Sequence, residues 1–318
     1  MLRALAAEHP EQRFEFCFRP PRYLGSLGAR LPSNAERSLL YEPLFPRSRE
    51  IFHGLNQRLP MLKFRRAVST FHDLFVLTGD YSTPEFRRRF AEQARRAAGE
   101  SDAIIAVSGF TARQVEELLG VEHRRIHVVH HGADHLLAGE RAARENIVLS
   151  VGAIQRRKNI GRLVEAFEGT PLGWRLVLAG SEGYGAAEVL ARIEASPRRR
   201  DIEVLGYIPA RDLVQWYARA RIFAFPSLDE GFGIPALEAM AAGVPVIAGN
   251  RAALPEVCGE AALLVDPENV EAIGAALERL MRDEDLAMRM IQVGQKRVRE
   301  FQWKKAAAET WGVYQLPS

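Results

Sequence analysis

Phe225-Pro-Ser-Leu-Asp-Glu-Gly-Phe-Gly-Ile-Pro-Ala-Leu-Glu-Ala-Met-Ala-Ala-Gly-Val-Pro-Val246 runs from strand to loop to helix to strand. The apolar run Ile222–Phe225 reads as a strand that stops at Pro226, since proline has no N–H to give a ladder. Asp229 and Glu230 follow in a loop. Gly231, Phe232 and Gly233 let backbone come close to a ligand, because glycine carries no Cβ. A helix is read over Pro235–Ala241, with Pro235 in its first turn, where proline is tolerated. Glu238 lies about one turn inside that helix. Gly243 ends it, and Val244-Pro245-Val246 starts the next strand.

That layout has a chemistry. A helix start presents free N–H groups and roughly half a unit of positive charge, which suits a phosphate. Glu230, just before the glycines, is placed to accept hydrogen bonds from sugar hydroxyls. Glu238 is placed to accept both hydroxyls of a ribose, as acidic residues do in dinucleotide sites. Two glutamates eight residues apart are common, and the plain alternatives are a solvated loop acid and a partner for the helix dipole. The specificity lies in the glycines, prolines and acids standing together at fixed offsets.

Outward from this stretch, β-like runs alternate with amphipathic helices, the pattern of parallel sheets covered by helices. In the first half, Arg13–Phe18, Ala67–Phe71, Ala103–Val107 and Ile126–His130 read as strands, with helices at Pro84–Ala98 and Thr111–Leu119. Residues 19–50 show no clean period and read as a long irregular segment. In the second half the strands are Ile147–Val151, Arg175–Ala179, Ile202–Leu205, Ile222–Phe225, Val244–Ala248 and Ala262–Val265. The expected fold is α/β, with two doubly wound, Rossmann-like domains facing across a cleft. Residues 1–134 form the acceptor-side domain, 135–146 a linker, and 147–302 the donor-side domain. Part of 303–318 is expected to pack back on the first domain. Met1–Glu8 already reads as a helix, so the first domain stands without the strand and glycine-rich turn that usually open such a fold. An upstream start, a trimmed chain and a sheet one strand short all stay open.

Composition excludes several classes. With 318 residues, 47% hydrophobic and 26% charged, the chain is an ordinary globular one. Cys17 and Cys258 cannot build a disulfide framework and read as buried thiols in a reducing compartment. No apolar run approaches the roughly 20 residues of a membrane span, and no signal peptide is evident. The expected location is cytoplasmic. The net charge of +3 comes with arginines crowded early, at 13, 19, 22, 30, 37, 47, 49, 58, 65 and 66. These read either as a solvated surface or as a face for anionic headgroups and a diphosphate acceptor at the inner membrane surface. No basic-aromatic or zinc-spaced motif points to nucleic acid.

The central stretch resembles the donor-site signature of glycosyltransferase family 4, retaining enzymes of the two-domain GT-B fold. The similarity runs from about residue 66 to the end. It includes Phe71-His-Asp-Leu74, Ser101-Asp-Ala-Ile-Ile-Ala-Val-Ser108, Val128-Val-His-His-Gly-Ala-Asp134, Val151-Gly-Ala-Ile-Gln-Arg-Arg-Lys-Asn159 and Leu205-Gly-Tyr-Ile-Pro209. The resemblance implies sugar transfer with retained configuration, no obligatory metal, no cofactor beyond a nucleotide-diphosphate sugar as co-substrate, and a donor held mainly by the C-terminal domain. Arg157-Lys158-Asn159 and the Phe-His-Asp-Leu stretch look most like mannosyltransferases that use GDP-mannose in surface polysaccharide assembly, on a glycan or lipid-linked acceptor. UDP-glucose, UDP-N-acetylglucosamine and dTDP-rhamnose stay open as donors. A chain that binds nucleotide sugar without transferring it is the second reading.

Supporting residues follow the same logic. A leaving nucleoside diphosphate carries several negative charges, and a helix terminus supplies only about half a unit. Cationic side chains supply the rest, and their effect is largest in a dry cleft. The family pattern puts a lysine at Lys158, and one subgroup an arginine at Arg157. Many members carry an arginine where this chain has Ala153. The family often has a histidine at His72 that reaches the donor sugar across the cleft; the alternative is a strand-end cap. Asp73 either orients His72 or caps the next turn. Tyr207, in Gly206-Tyr207-Ile208-Pro209, lies in a region the family places near the nucleobase, and Leu254-Pro-Glu256 resembles an element on the phosphate side; both also fit plain turn chemistry. Ser108 reads as a helix cap. His130 and His131 lack metal-ligand company.

Overall fold

The computed structural model describes residues 1–42, 50–133 and 143–316. The chain opens with α1 (Leu2–Glu8), β1 (Phe14–Phe18), α2 (Pro20–Ser26) and β2 (Ala35–Leu39). β1 and β2 pair in parallel as a sheet of their own. The segment 19–50, expected to be irregular, therefore holds a helix and a strand in its described part. Pro20 and Pro21 fall in the first turn of α2, where the fixed proline φ favours helix. β2 is Ala-Glu-Arg-Ser-Leu and nowhere fully buried, so it carries no apolar alternation. The expected arginines at 47 and 49 lie outside the described residues.

Next come β3 (Ile51–Gly54), β4 (Arg66–Phe71), α3 (Phe75–Thr78), α4 (Pro84–Glu100), β5 (Ala103–Ala106), α5 (Gly109–Leu119) and β6 (Ile126–Val128). The four strands form one parallel sheet in chain order. Thr83 caps α4 by accepting from Phe86 N, and Ser108 caps α5 by accepting from Thr111 N at 3.0 Å. Phe90, Ala94, Ala97 and Ala98 are the buried stripe of α4, and they meet Phe71, Ile104 and Val115 in one apolar cluster.

The linker expected over 135–146 lies mostly outside the described residues. β7 starts at Glu145 and runs to Val151. It is followed by α6 (Ile160–Glu168), β8 (Arg175–Ala179), α7 (Ala186–Glu194), β9 (Ile202–Gly206), α8 (Ala210–Arg219), β10 (Ala220–Phe225), α9 (Ile234–Ala241), β11 (Val246–Gly249), α10 (Leu254–Cys258) and β12 (Ala262–Val265). The six strands are all parallel, in the order β12-β11-β10-β7-β8-β9. This is the doubly wound order, whose direction reverses between the first and fourth strands, here β7 and β10. Both faces are covered. Ile147, Leu149, Phe223 and Phe225 face one apolar layer with α9, while Val148, Ile222 and Ala224 face the other with α6. Helix α6 shows why: Ile160, Leu163, Val164 and Phe167 are buried, the spacing of one helical face.

α11 (Val270–Arg282), α12 (Glu284–Val298) and α13 (Trp303–Gln315) complete the chain. Ala306 and Val313 of α13 pack on Val68, Ala103, Ile105 and Val129 of the N-terminal sheet. His9, just after α1, stacks on Trp311 at 3.9 Å. Arg66, one of the early arginines, is 8% exposed and donates to Val313 O at 3.1 Å; Arg37 donates to Ser26 O and Ala29 O. These two arginines serve the fold rather than a surface. Cys258 is buried, whereas Cys17 is only half-buried.

Candidate active site

The sheet reversal decides where the site forms, because parting loops at that point leave a crevice beyond the strand ends. β7 ends at Val151, and Gly152 lies against Gly180 at the end of β8. A Cβ on Gly180 would fall 1.9 Å from the Gly152 carbonyl oxygen, so only glycine permits this approach. The chain then forms a turn at Arg156–Lys158. Asn159 follows in the left-handed region, with φ 58. Its side-chain amide donates to Pro226 O and Pro267 O, which ties the β7 loop to the loop after β10.

That second loop carries Glu230 onto the two cations. The Glu230 carboxylate lies 3.0 Å from Arg157 Nη1 and pairs with Lys158 Nζ. All three residues are buried, at 7%, 7% and 9% exposure. Arg157 also donates to Asp229 O. Its guanidinium lies 4.1 Å over the ring of Phe75, across the cleft, and Lys158 Nζ lies 4.5 Å from the ring of Phe225. Burial works against the Glu230 carboxylate, but the Lys158 and Arg157 charges outweigh it and hold the carboxyl below the usual range. Burial pushes Lys158 down, against the pull of Glu230. Burial also raises Asp73 and Asp229, with Arg157 opposing at Asp73 and a Thr78 hydrogen bond opposing at Asp229. Asp229 Oδ1 and Arg157 Nε are buried with no hydrogen-bond partner among the described residues. Buried polar atoms without a partner are rare in folded proteins.

The structure gathers Arg157, Lys158 and Glu230 at one point and disperses the others. Gly231 touches the N-terminal domain: a Cβ there would lie 1.8 Å from His72 O. Gly233 has φ +100 and starts α9, with Ile234 the first helical residue. The Phe232 ring is turned away from solvent, 5% exposed, and packs on His130, His131 and Phe301, so only its backbone faces the loop. Glu238 lies inside α9, where it accepts from Tyr217 Oη at 3.0 Å. Tyr207 follows β9 and is 76% exposed. Both ring nitrogens of His72 are engaged. Nε2 donates to Leu55 O at 2.7 Å, so Nδ1 accepts from His131 Nε2 at 3.1 Å. Burial first, then the neighbouring His72, drives the His131 pKa down to about 3. Among the described residues no three His, Cys, Asp or Glu side chains cluster as a metal set.

The sequence pattern of the family described as Glycosyl transferases group 1 matches residues 138–297, and that of Glycosyltransferase Family 4 matches residues 49–135. The chain is 33% identical over 283 residues to the O-antigen chain mannosyltransferase B of Escherichia coli, covering 84% of this chain and 74% of that one. The chain belongs to glycosyltransferase family 4. Two solved structures share its GT-B fold. WaaG, a glycosyltransferase involved in lipopolysaccharide biosynthesis, has a TM-score of 0.71 at 14% identity, over 96% of this chain and 100% of that one. HepE of Anabaena, in complex with UDP-glucose, has a TM-score of 0.68 at 19% identity, over 78% and 72%.

This family 4 glycosyltransferase also clamps its two halves together, through contacts between residues far apart in sequence. Thr78 Oγ1 donates to Asp229 Oδ2 at 2.8 Å, and Arg156 bridges Asp80 and Glu188. Ser108 Oγ and Thr111 Oγ1 both donate to Gly231 O. Glu256 accepts from Gly109 N at 2.8 Å and Phe110 N at 3.1 Å, and its carboxylate meets His130 Nε2 at 2.9 Å. A carboxylate from one domain thus caps the first turn of α5 in the other, where the helix dipole favours negative charge. Leu254-Pro-Glu256 carried the signal, but its partner lies some 147 residues away.

Proposed function

We propose that this glycosyltransferase moves a hexose, mannose by preference, from a nucleotide-diphosphate sugar to a glycan or lipid-linked acceptor in surface polysaccharide synthesis, with retained configuration. GDP-mannose is the favoured donor. One observation carries the reading: the buried Glu230 carboxylate is held by Arg157 and Lys158 at the sheet reversal. A donor diphosphate entering there meets two cations already free of water, which stabilise negative charge most strongly as the leaving group departs. Each carboxylate oxygen of Glu230 has a lone pair left for a sugar hydroxyl. Gly231, Gly233 and Ile234 bring the start of α9 to the phosphates, and Glu238 takes the ribose after release from Tyr217. Tyr207 lies beside the base. His72 reaches the sugar once its bond to Leu55 O opens. The acceptor hydroxyl attacks on the face from which the diphosphate leaves, and domain closure keeps water out. The similarity to an O-antigen chain mannosyltransferase supports mannose.

No cofactor is required beyond the nucleotide sugar, and the chain acts at the cytoplasmic face of the membrane, through peripheral contact. No described helix is long and apolar enough to cross a membrane. The test is a donor panel of GDP-mannose, UDP-glucose, UDP-N-acetylglucosamine and dTDP-rhamnose, with NMR of the product linkage. GDP-mannose is expected to be turned over fastest, to an α-linked product. A β-linked product, or turnover with none of the panel, contradicts the reading.

A further inference from the structure

Beside the donor cleft, a groove of about 420 Å³ on the N-terminal domain is lined by Arg87, Arg88 and Arg95 of α4, together with Leu77, Ala91 and Leu118. No carboxylate lines it. Arg87 donates to Asp80 Oδ1 at 2.9 Å, and its Nε is buried without a partner among the described residues. Arg88 and Arg95 make no hydrogen bond or ion pair with any described residue. Both are exposed. The groove is continuous with the cleft through charge: the other oxygen of Asp80 takes Arg156 Nη1 at 3.0 Å, and Arg156 directly precedes Arg157 and Lys158.

Of the three guanidinium groups in the lining, only Arg87 is paired with a carboxylate, Asp80, so Arg88 and Arg95 present two positive charges without an ion pair to any described residue. Arginine binds phosphate oxygens in pairs through its planar fork. A diphosphate esterified at both ends carries two negative charges and matches the surplus, whereas a phospholipid diester carries one. Leu77, Ala91 and Leu118 supply apolar surface next to the charges. We propose that this groove binds the diphosphate linkage of a lipid-carried acceptor, with the first part of the lipid chain against those three residues. The assignment deepens the glycosyltransferase reading and rests on it for the word acceptor.

Calorimetric titration of the whole chain with farnesyl diphosphate tests it. The wild type binds, and Arg88→Gln/Arg95→Gln binds about tenfold more weakly or less, from the loss of two forked phosphate contacts. Farnesol does not bind. Should the double variant fail to fold, Arg88→Gln alone weakens binding about threefold on the same grounds. Equal affinity of wild type and variant overturns the proposal, and so does farnesol binding as tightly as farnesyl diphosphate. A third overturning result is loss of binding to phosphatidylglycerol vesicles in the variant while farnesyl diphosphate binding is unchanged, which assigns the arginines to bulk membrane. GDP titrated in parallel reports separately on the donor site: a chain that takes farnesyl diphosphate but not GDP keeps the groove and sinks the donor reading.

Discussion

Glu230 is the residue on which the site turns, and its surroundings decide how it can be probed. Arg157 and Lys158 are both buried against it. Deleting the carboxylate leaves two buried cations without their counter-charge, and breaking a buried pair in this way costs about 3–5 kcal/mol. Glu230→Ala is therefore expected to lower stability by that order in urea unfolding; a change under about 1 kcal/mol would mean that water reaches the cations freely. The three members of this cluster were legible in the sequence, because each sits in a loop whose glycines, prolines and charges follow a recognisable pattern. Their direct contact was not, since 72 residues separate Lys158 from Glu230 and only the sheet order brings the loops together. Phe232 shows the opposite limit. A phenylalanine between two glycines looks exposed to a ligand, yet its ring faces the His130, His131 and Phe301 side. Strings of residue types do not encode which way a side chain turns.

The C-terminal strands are legible in the sequence because their apolar runs are short, β-branched and bounded by glycine or proline, and the sheet buries them on both faces. β2, β3 and α2 are not legible for the converse reason: they lie at sheet edges or on the surface, and none of the three is continuously apolar. The short helices α3 and α10 leave no clear periodicity either, and both carry groups that join the domains. The loop from Glu230 to Gly233 is the closest of these junctions. Its Gly231 lies against backbone rather than a flexible side chain, 1.8 Å from His72 O to an added Cβ. Gly231→Ala cannot be absorbed by a rotamer change, so the loop and β4 must separate. Overpacking of this kind costs about 1–3 kcal/mol, and the separation removes Phe75 from Arg157. Transfer is expected to fall by at least about tenfold, the rate equivalent of 1.4 kcal/mol, while circular dichroism stays that of the wild type. Full activity in Gly231→Ala would show that the two loops need not touch during catalysis.

The molecule as a whole has two large parallel sheets beside the small β1–β2 pair, and the large sheets are joined by polar contacts at the cleft and by α13, which carries the chain onto the N-terminal sheet. Two histidines, His131 buried and His53 half-buried, stand at these junctions. His53 meets Tyr314 of α13 and Thr70 of β4, and His131 lies between His72 and Phe232. Burial, and then the neighbouring His72, lowers both to about 3 from an ordinary 6.5. The unfolded chain binds the extra protons, so stability rises with pH. The contribution is complete above about 6.5 and is lost as the pH falls toward 3, at about 1.4 kcal/mol per pH unit for each histidine. The melting temperature is expected to drop steadily from pH 7 to pH 5, and less steeply in His53→Gln; a flat profile would place both rings in water. The GT-B architecture was legible from the alternation of strands and helices, whereas the closeness of the two domains was not, because the contacts that set it are single polar residues scattered from Thr78 to Glu256. At that cleft, the carboxylate held by two cations is the group proposed to bind the donor sugar. Its most direct test is the rate of GDP release from GDP-mannose, with acceptor present, in wild type and in Glu230→Gln, which keeps the shape and removes the charge. The rate is expected to fall by about a hundredfold or more, the scale on which a preorganised polar contact acts in catalysis, with the protein still folded; equal rates in the two proteins would contradict the account.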